Sequence, residues 1–198
     1  MDKTIYTIGY SAFNIDAFLT QLKSFNIGCV IDVRSIPVAS EFMKIYSKNS
    51  LAPLLQKNSI LYRNYALEFG ARQENPKYYE TYGYLDFEAY IKTDTFASGV
   101  EKIKKGMALG YKFCLMCAEK DPITCHRAIM VSRGLQTAGL NVWHIMSDGM
   151  LQSQQTLENR LLNQYFPDRN QQNLFSQNCD QDYLNEAYRK QNAKIGFA

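Results

Sequence analysis

The segment from Cys117 to Arg127 holds the densest group of potentially reactive side chains in the sequence. It contains two cysteines, a glutamate, a histidine and an arginine, and it lies between an apolar stretch and a stretch with helical periodicity. We therefore predict a strand, a short polar loop and a helix, with Cys125, His126 and Arg127 in the first helical turn. Free N–H groups and the helix dipole favour anions and thiolates at such a turn. An arginine beside it adds a planar fork that suits phosphate or carboxylate.

Several catalytic roles are open for these residues. Cys125 could act as a nucleophile, or it could be a buried residue that packs under the loop. His126 is adjacent in sequence but points in another direction on a helix, so His144, after a later strand, is a second candidate base. Glu119 could act as a general acid or base, or as an ordinary loop carboxylate. Asp32 could act as a general base or hold a neighbouring arginine in place.

A second set of candidates could bind the ligand, and it follows the strands of the predicted sheet. Its members are Gly9, Tyr10, Ser11, Arg34, Ser35, Cys117, Arg127 and His144. Ligands of open parallel sheets bind beyond the carboxyl ends of the strands, so these residues are expected to share one rim. Arg34 and Arg127 are the candidate anion binders, although Arg34 could instead pair internally with Asp32 or Glu119. Gly9 is expected to allow a tight turn or a close backbone approach.

The motifs indicate neither a metal site nor a cofactor. Cys114 and Cys117 have zinc-like spacing, but they lie on a predicted strand, where residues three apart point to opposite faces. We therefore expect no structural zinc, although Cys117, Cys125 and a histidine could together bind a metal ion. No Walker loop or dinucleotide fingerprint follows the first strand, and the Cys-x5-Arg spacing of cysteine phosphatases is absent.

The pattern of apolar segments predicts an α/β fold in three layers, with a mostly parallel sheet of about five strands flanked by helices. The predicted strands are Ile5–Ile8, Gly28–Val33, Leu61–Asn64, Tyr111–Met116 and Val142–Met146. A helix begins near Asn14, and another covers Ala97–Leu109 and ends at Gly110. We assign residues 1–150 to the α/β domain. Residues 151–198 form a helical, Asn/Gln-rich extension that packs on the domain or bridges to a partner.

Composition sets limits on the class of protein. A chain of 198 residues, with 46% hydrophobic and 21% charged residues, is typical of one globular domain. The net charge of +3 permits contact with phosphates but is weaker than that of a dedicated nucleic-acid binder. Five cysteines and no signal peptide favour a reducing cytoplasm, and no apolar run is long enough for a membrane helix. Oligomeric state cannot be read from the sequence.

Several separated motifs also carry a family resemblance. They are Thr7–Ser11, Asp32–Pro37, Leu115–Glu119, Cys125–Arg127 and His144-Ile145. In this order they resemble the domain of unknown function 488 family, over roughly residues 4 to 146. The resemblance implies a single α/β domain and predominantly prokaryotic, cytoplasmic proteins, and it implies no settled reaction. That family usually carries Leu-Gly-Gly after the third strand, whereas this chain has Phe69-Gly70-Ala71, which affects the expected backbone shape of the loop.

Together these features predict a cytoplasmic enzyme, a possible hydrolase or transferase, with a phosphate-binding site at the carboxyl edge of the sheet. Its substrate would be a nucleotide, a nucleic-acid end or a phosphorylated metabolite. The alternative is a non-catalytic nucleotide or nucleic-acid binding module that uses Tyr10, Tyr62 and Tyr65 as stacking surfaces. A third possibility is an interaction protein that contacts its partner through the C-terminal tail.

Overall fold

A mostly parallel β-sheet forms the centre of the protein in a computed structural model that describes residues 3–81, 83–169 and 179–196. The strands are β1 (Thr4–Gly9), β2 (Cys29–Asp32), β3 (Leu61–Asn64), β4 (Phe113–Cys117), β5 (Asn141–Ile145) and β6 (Leu151–Ser153). Their order is β3-β2-β4-β1-β5-β6, and only β6 is antiparallel to its neighbour. The predicted α/β class and mostly parallel sheet are confirmed.

Strand register brings the polar strand ends to one edge. Gly9 at the end of β1 is paired with Cys117 at the end of β4, and Asp32 at the end of β2 is paired with Met116 of β4. Because all three strands run in the same direction, the loops that follow them start side by side. This arrangement positions the residues described in the next section.

Helices cover both faces of the sheet. They are α1 (Ile15–Ser24), α2 (Lys48–Lys57), α3 (Ala66–Phe69), α4 (Phe87–Tyr90), α5 (Asp94–Ala108), α6 (Arg133–Thr137), α7 (Gln154–Tyr165) and α8 (Asp180–Ile195), and a π-helix (Arg127–Ser132) runs directly into α6. The Asn14 side chain caps α1 by accepting from the Ala17 N–H at 2.8 Å. Gly110 follows α5 with φ of 89°, a backbone conformation that favours glycine at a helix end.

Alternating residues of the sheet supply two separate apolar clusters. Leu115 and Cys117 of β4 point to the face covered by α5, α7 and α8, whereas Cys114 and Met116 point to the face covered by α1 and α2. Period-two alternation of a strand explains the division. Cys114 and Cys117 therefore lie on opposite faces, as their position on a strand predicts.

The C-terminal helices contribute to the first of these clusters. Leu157 and Leu161 of α7 and Ala187 and Tyr188 of α8 are buried within it. Asn192 of α8 fastens the helix to the body of the protein through its side-chain amide. Among the residues described, no helix is long and apolar enough to cross a membrane.

Some details of the structure differ from those expected from the sequence. The sequence predicted five strands, but Leu151–Ser153 adds a sixth, because these three residues pair with β5 before α7 begins. Cys125 was expected inside the first helical turn, yet its backbone is extended (φ −130°, ψ 138°) and it comes just before the helix. Part of the Asn/Gln-rich segment, residues 170–178, lies outside the described residues.

Candidate functional site

Two cysteines, a histidine and a glutamate meet where β4 ends and the following helix begins. The ligand atoms of Cys117, Cys125 and His126 all lie within 4.8 Å of one another. The Cys125 Sγ is 2.6 Å from Oε2 of Glu119, and the Cys117 Sγ is 3.8 Å from Nδ1 of His126. We call these four residues the Cys–His–Glu cluster.

Backbone groups hold the cluster in place. His126 Nε2 is 2.9 Å from the carbonyl oxygen of Val33, which can only accept, so the proton of the neutral ring lies on Nε2. The backbone N–H of Arg127 donates to the Cys125 Sγ at 3.4 Å. The loop after β2 and the start of the helix therefore fix the orientation of both side chains.

The ionisable groups of the cluster shift one another's pKa values. Burial opposes ionisation of Cys125, but interaction with the Cys117 thiol and the positive charges of Arg127 and His126 bring the pKa of Cys125 well below its ordinary value. The hydrogen bond to Cys125, followed by burial, raises the pKa of Cys117. Burial and the neighbouring Cys125 raise the pKa of Glu119. The 2.6 Å separation of Cys125 Sγ and Glu119 Oε2 requires a proton between these two groups, so they are not both ionised.

The pKa of His126 is raised as well. Burial alone would lower it, but the hydrogen bond and the charge of Cys125 favour the protonated ring, and the Val33 carbonyl adds to this effect. The two shifts both favour a thiolate at Cys125 beside a protonated His126.

A small cavity of about 200 Å³ opens beside the cluster. It is lined by Arg34, Ser35, Ile36, Ala71, Arg72, Cys117, Ala118, Glu119, His126, Ile195 and Gly196. Four segments thus surround it: the loop after β2, the loop after α3, the end of β4 with the loop and helix start that follow, and the end of α8. Cys125 is buried behind Cys117 and Glu119 and is not part of the lining.

Arg34 is held at the cavity by a buried ion pair. Its Nε and Nη2 donate to the two carboxylate oxygens of Asp32 at 2.9 and 2.6 Å, and Nη2 also donates to the Tyr46 carbonyl oxygen at 2.8 Å. Its Nη1 is buried and has no hydrogen-bond partner in the structure. The hydroxyl of Tyr62 donates to the same Asp32 carboxylate at 2.7 Å. Both oxygens of Asp32 are therefore engaged in holding Arg34.

Arg127 faces the loop rather than the cavity. It is fully buried, and its Nη1 and Nη2 donate to the carbonyl oxygens of Glu119 and Lys120 at 2.6 and 3.4 Å. Its Nε is buried without a partner. In this conformation Arg127 orders the loop after β4 and keeps a positive charge beside Cys125.

His144 is enclosed on β5, away from the cavity. Its Nδ1 is 2.7 Å from the Thr7 hydroxyl and its Nε2 is 2.8 Å from the Gln154 amide oxygen. Burial and the charge of Arg127 lower the pKa of His144 to about 3, so the ring is neutral. A neutral ring with both nitrogens engaged is typical of a structural histidine.

The predicted residues at the end of β1 have different surroundings. Tyr10 is buried, stacks on Tyr46 at 4.6 Å between ring centroids, and lies under the Arg34 guanidinium at 5.0 Å. Ser11 is exposed, and Ser35 accepts a hydrogen bond from the Arg72 N–H at 2.9 Å. Gly9 lies against the Glu119 carbonyl group. Tyr10 therefore supports Arg34 and does not present a free stacking face.

The loop after α3 and the end of α8 are contributions that sequence reasoning largely missed. The sequence led us to expect that Gly70 and Arg72 could preserve the site, whereas replacement of the second glycine of the Leu-Gly-Gly run affected the expected backbone shape. Gly70 has ordinary extended backbone (φ −67°), and Ala71 is not among the described residues with positive φ, so a second glycine is not needed there for backbone conformation. Ile195 and Gly196 carry no local signal, because only the packing of α8 brings them to the cavity.

These observations define an α/β protein with a polar, thiol-containing site at the carboxyl edge of its sheet. Residues 14–133, more than half of the chain, match the family model described as domain of unknown function DUF488, and the chain belongs to this family. The matched range begins after the β1 motif and ends before His144, so it is shorter than the range over which the motifs resemble the family. Searches of curated proteins and of solved structures find no significant match.

Proposed function

We propose that the protein is an enzyme that binds an anionic group, such as the phosphate of a nucleotide, a nucleic-acid end or a phosphorylated metabolite, in the 200 Å³ cavity. The Cys–His–Glu cluster would then act on the bound group. The observation that carries the proposal is the unpartnered Nη1 of Arg34, a buried donor on a residue that lines this cavity. An unsatisfied buried donor costs roughly 1–3 kcal/mol, and an anion oxygen would satisfy it.

Electrostatics around the cavity support an anion. Arg34 and Arg72 line it together with His126, whose pKa is raised. Asp32 balances the charge of Arg34 and occupies its Nε and Nη2, and Nη1 is left without a hydrogen-bond partner. Arg127 then has a positioning role, because its guanidinium holds the loop that carries Glu119.

Cavity size restricts what can enter. A volume of about 200 Å³ is below the range of about 300–1,000 Å³ that is usual for ligand pockets. It admits a single group such as a phosphate. A second cavity of about 460 Å³ shares Ser35 and Arg72 with the first, and it offers space for the rest of a substrate.

The cluster supplies the chemistry. Cys117, Glu119 and His126 line the cavity, and Glu119, whose pKa is raised, would serve as the proton donor next to Cys125 as the thiolate. A nucleophile and a proton donor near an anion-binding site are what a hydrolase or transferase requires. No observation favours the alternative of a non-catalytic module with tyrosine stacking surfaces, since Tyr10 is buried and the Tyr62 hydroxyl is bonded to Asp32.

Calorimetric titration with inorganic phosphate and with nucleoside monophosphates tests the proposal. Arg72→Ala removes an exposed cationic group from the lining, and Arg63→Ala removes an exposed arginine of β3 that does not line it. We expect Arg72→Ala to weaken phosphate binding by roughly tenfold or more, about 1.4 kcal/mol, and Arg63→Ala to leave it unchanged. Equal binding by both variants, or the absence of binding by the unaltered protein, would refute the anion site. Turnover of any ligand that binds, tested with Glu119→Gln, then checks the role of the cluster.

A further inference from the structure

The second inference concerns metal binding at the Cys–His–Glu cluster, and it does not depend on anion binding. We propose that Cys117, Cys125 and His126 bind a zinc-like divalent ion, with the fourth position of the ion directed to the cavity. We expected no structural zinc site from the sequence, because Cys114 and Cys117 point to opposite faces of the sheet. The fold confirms that geometry but brings Cys125 and His126 to Cys117 instead.

Distances within the cluster suit a tetrahedral ion. With metal bonds of about 2.3 Å to sulfur and about 2.0–2.1 Å to nitrogen, neighbouring ligand atoms of a tetrahedral site are roughly 3.5–3.8 Å apart. The Cys117 Sγ and His126 Nδ1 are 3.8 Å apart, and no two of the three ligand atoms are separated by more than 4.8 Å. The ligand atoms therefore need to approach one another by at most about 1.3 Å to share an ion.

The outer partners of the ligands are in place as well. Metal-binding histidines usually donate their second ring N–H to a carbonyl or carboxylate group, which fixes the tautomer. His126 meets this condition, since Nε2 is 2.9 Å from the Val33 carbonyl oxygen and Nδ1 faces Cys117. The Arg127 N–H that donates to the Cys125 Sγ would stabilise a metal-bound thiolate.

The ligand types select the ion. Two thiolates and an imidazole favour zinc and similar borderline-soft ions over magnesium and calcium, which prefer oxygen. Three protein ligands leave one position of a tetrahedral zinc open, as in catalytic sites. Cys117 and His126 line the cavity, so the ion has an entry path.

Binding of zinc would change the role of the sulfurs. Both thiols would lose their protons and serve as ligands, so the ion would protect them from alkylation. An anion held by Arg34 would then meet the open position of the ion. The zinc-bound and zinc-free forms of the protein are thus expected to differ in thiol reactivity.

The test uses the full chain, stripped with a chelator under reducing conditions and titrated with zinc against a competing indicator. Cobalt is a second probe, because thiolate ligands give it charge-transfer absorption. We expect about one tightly bound ion per chain. Cys117→Ser and His126→Gln should lower zinc affinity by more than the roughly 10- to 100-fold that loss of an outer partner costs. Cys114→Ser and Cys179→Ser are matched controls that remove thiols outside the cluster.

Failure of the metal site can be separated from failure of the proposed function. Absence of zinc binding by the unaltered protein, or full zinc binding by both Cys117→Ser and His126→Gln, overturns the metal site, whatever the phosphate titration gives. If a buried cysteine variant fails to fold, His126→Gln still tests the site, because His126 is partly exposed. Mass mapping provides an independent readout, in which zinc should slow alkylation of Cys117 and Cys125 but not of exposed Cys179.

Discussion

The carbonyl oxygen of Glu119 occupies the space that a Cβ atom on Gly9 would fill. The same carbonyl oxygen accepts a hydrogen bond from Nη1 of Arg127 at 2.6 Å, and the Glu119 carboxylate is bonded to Cys125. The ends of β1 and β4 are therefore in direct backbone contact beside the cluster. Any side chain at position 9 must displace the loop that carries Glu119.

We expect Gly9→Ala to destabilise the protein by about 1–3 kcal/mol, which is typical of overpacking, and to weaken zinc binding at the cluster. The reason is steric, since the added methyl group clashes with backbone atoms that cannot rotate away. Urea unfolding and zinc titration measure the two effects. Gly28→Ala is the matched control, because its Cβ would come no nearer than 3.6 Å to a neighbouring atom. Similar losses in both variants would contradict this explanation.

The fold and the edge of the site could be predicted from the sequence, for reasons visible in particular elements. Apolar runs gave the five longer strands, and Asn14 and Gly110 marked helix ends through local backbone chemistry. Parallel strands carry their following loops to one edge, which is why Asp32, Glu119 and Gly9 were expected together. Each of these inferences needs only nearby residues and the direction of the strands.

The remaining features depend on contacts between residues far apart in sequence. His144 is adjacent to Thr7, which is 137 positions away, so the sequence does not indicate whether its ring faces the cavity or the interior. Burial of Arg127 depends on how the loop after β4 folds back onto it. The three residues of β6 are too few to give a period-two pattern.

Stability should fall in acid because of His144. Its pKa in the folded protein is about 3, whereas an unfolded histidine has a pKa of about 6.5, so below pH 6.5 the unfolded chain binds a proton that the folded protein excludes. The free energy of unfolding should therefore lose roughly 1.4 kcal/mol per pH unit from this residue between about pH 6 and pH 3.

Urea unfolding of the unaltered protein and of His144→Gln between pH 7 and pH 4 isolates this effect from that of the carboxylates. The variant disrupts the hydrogen bonds of the ring to Thr7 and Gln154, so it should be less stable at pH 7. Because it lacks the titrating ring, the difference should shrink as the pH falls. A difference that stays constant over this range would show that His144 is not the residue responsible.

Asp32 should contribute more to stability than Tyr62, although both belong to the hydrogen-bond network that holds Arg34. Asp32→Asn leaves the Arg34 guanidinium buried without its counter-charge, so we expect a loss of about 3–5 kcal/mol. Tyr62→Phe removes one hydrogen bond but leaves the ion pair intact, and we expect a loss on the order of 1 kcal/mol. Chemical unfolding of the two variants gives the comparison. Equal losses would mean that Asp32 does not serve mainly to balance Arg34.

The attachment of α8 depends on Asn192, whose side chain accepts from the Phe87 N–H at 2.9 Å and donates to the Leu85 carbonyl oxygen at 3.0 Å. Asn192→Ala leaves both buried backbone groups unsatisfied and should cost about 2–4 kcal/mol. Asn192→Asp keeps the acceptor and loses the donor, so the hydrogen bond from the Phe87 N–H should remain and the one to the Leu85 carbonyl oxygen should be lost. Because Ile195 and Gly196 line the cavity one turn further on, Asn192→Ala should also weaken phosphate binding.

Thermal unfolding and phosphate titration of Asn192→Ala, with Asn185→Ala as control, measure both consequences. Asn185 lies on the same helix but bonds to Arg133 and Gln181 rather than to backbone groups near α4, so its loss should leave the cavity unchanged. A stability loss without any change in phosphate affinity would show that the end of α8 packs on the cavity without shaping it. Equal effects of the two variants would instead assign the attachment to the helix as a whole, because no single side chain would then account for it.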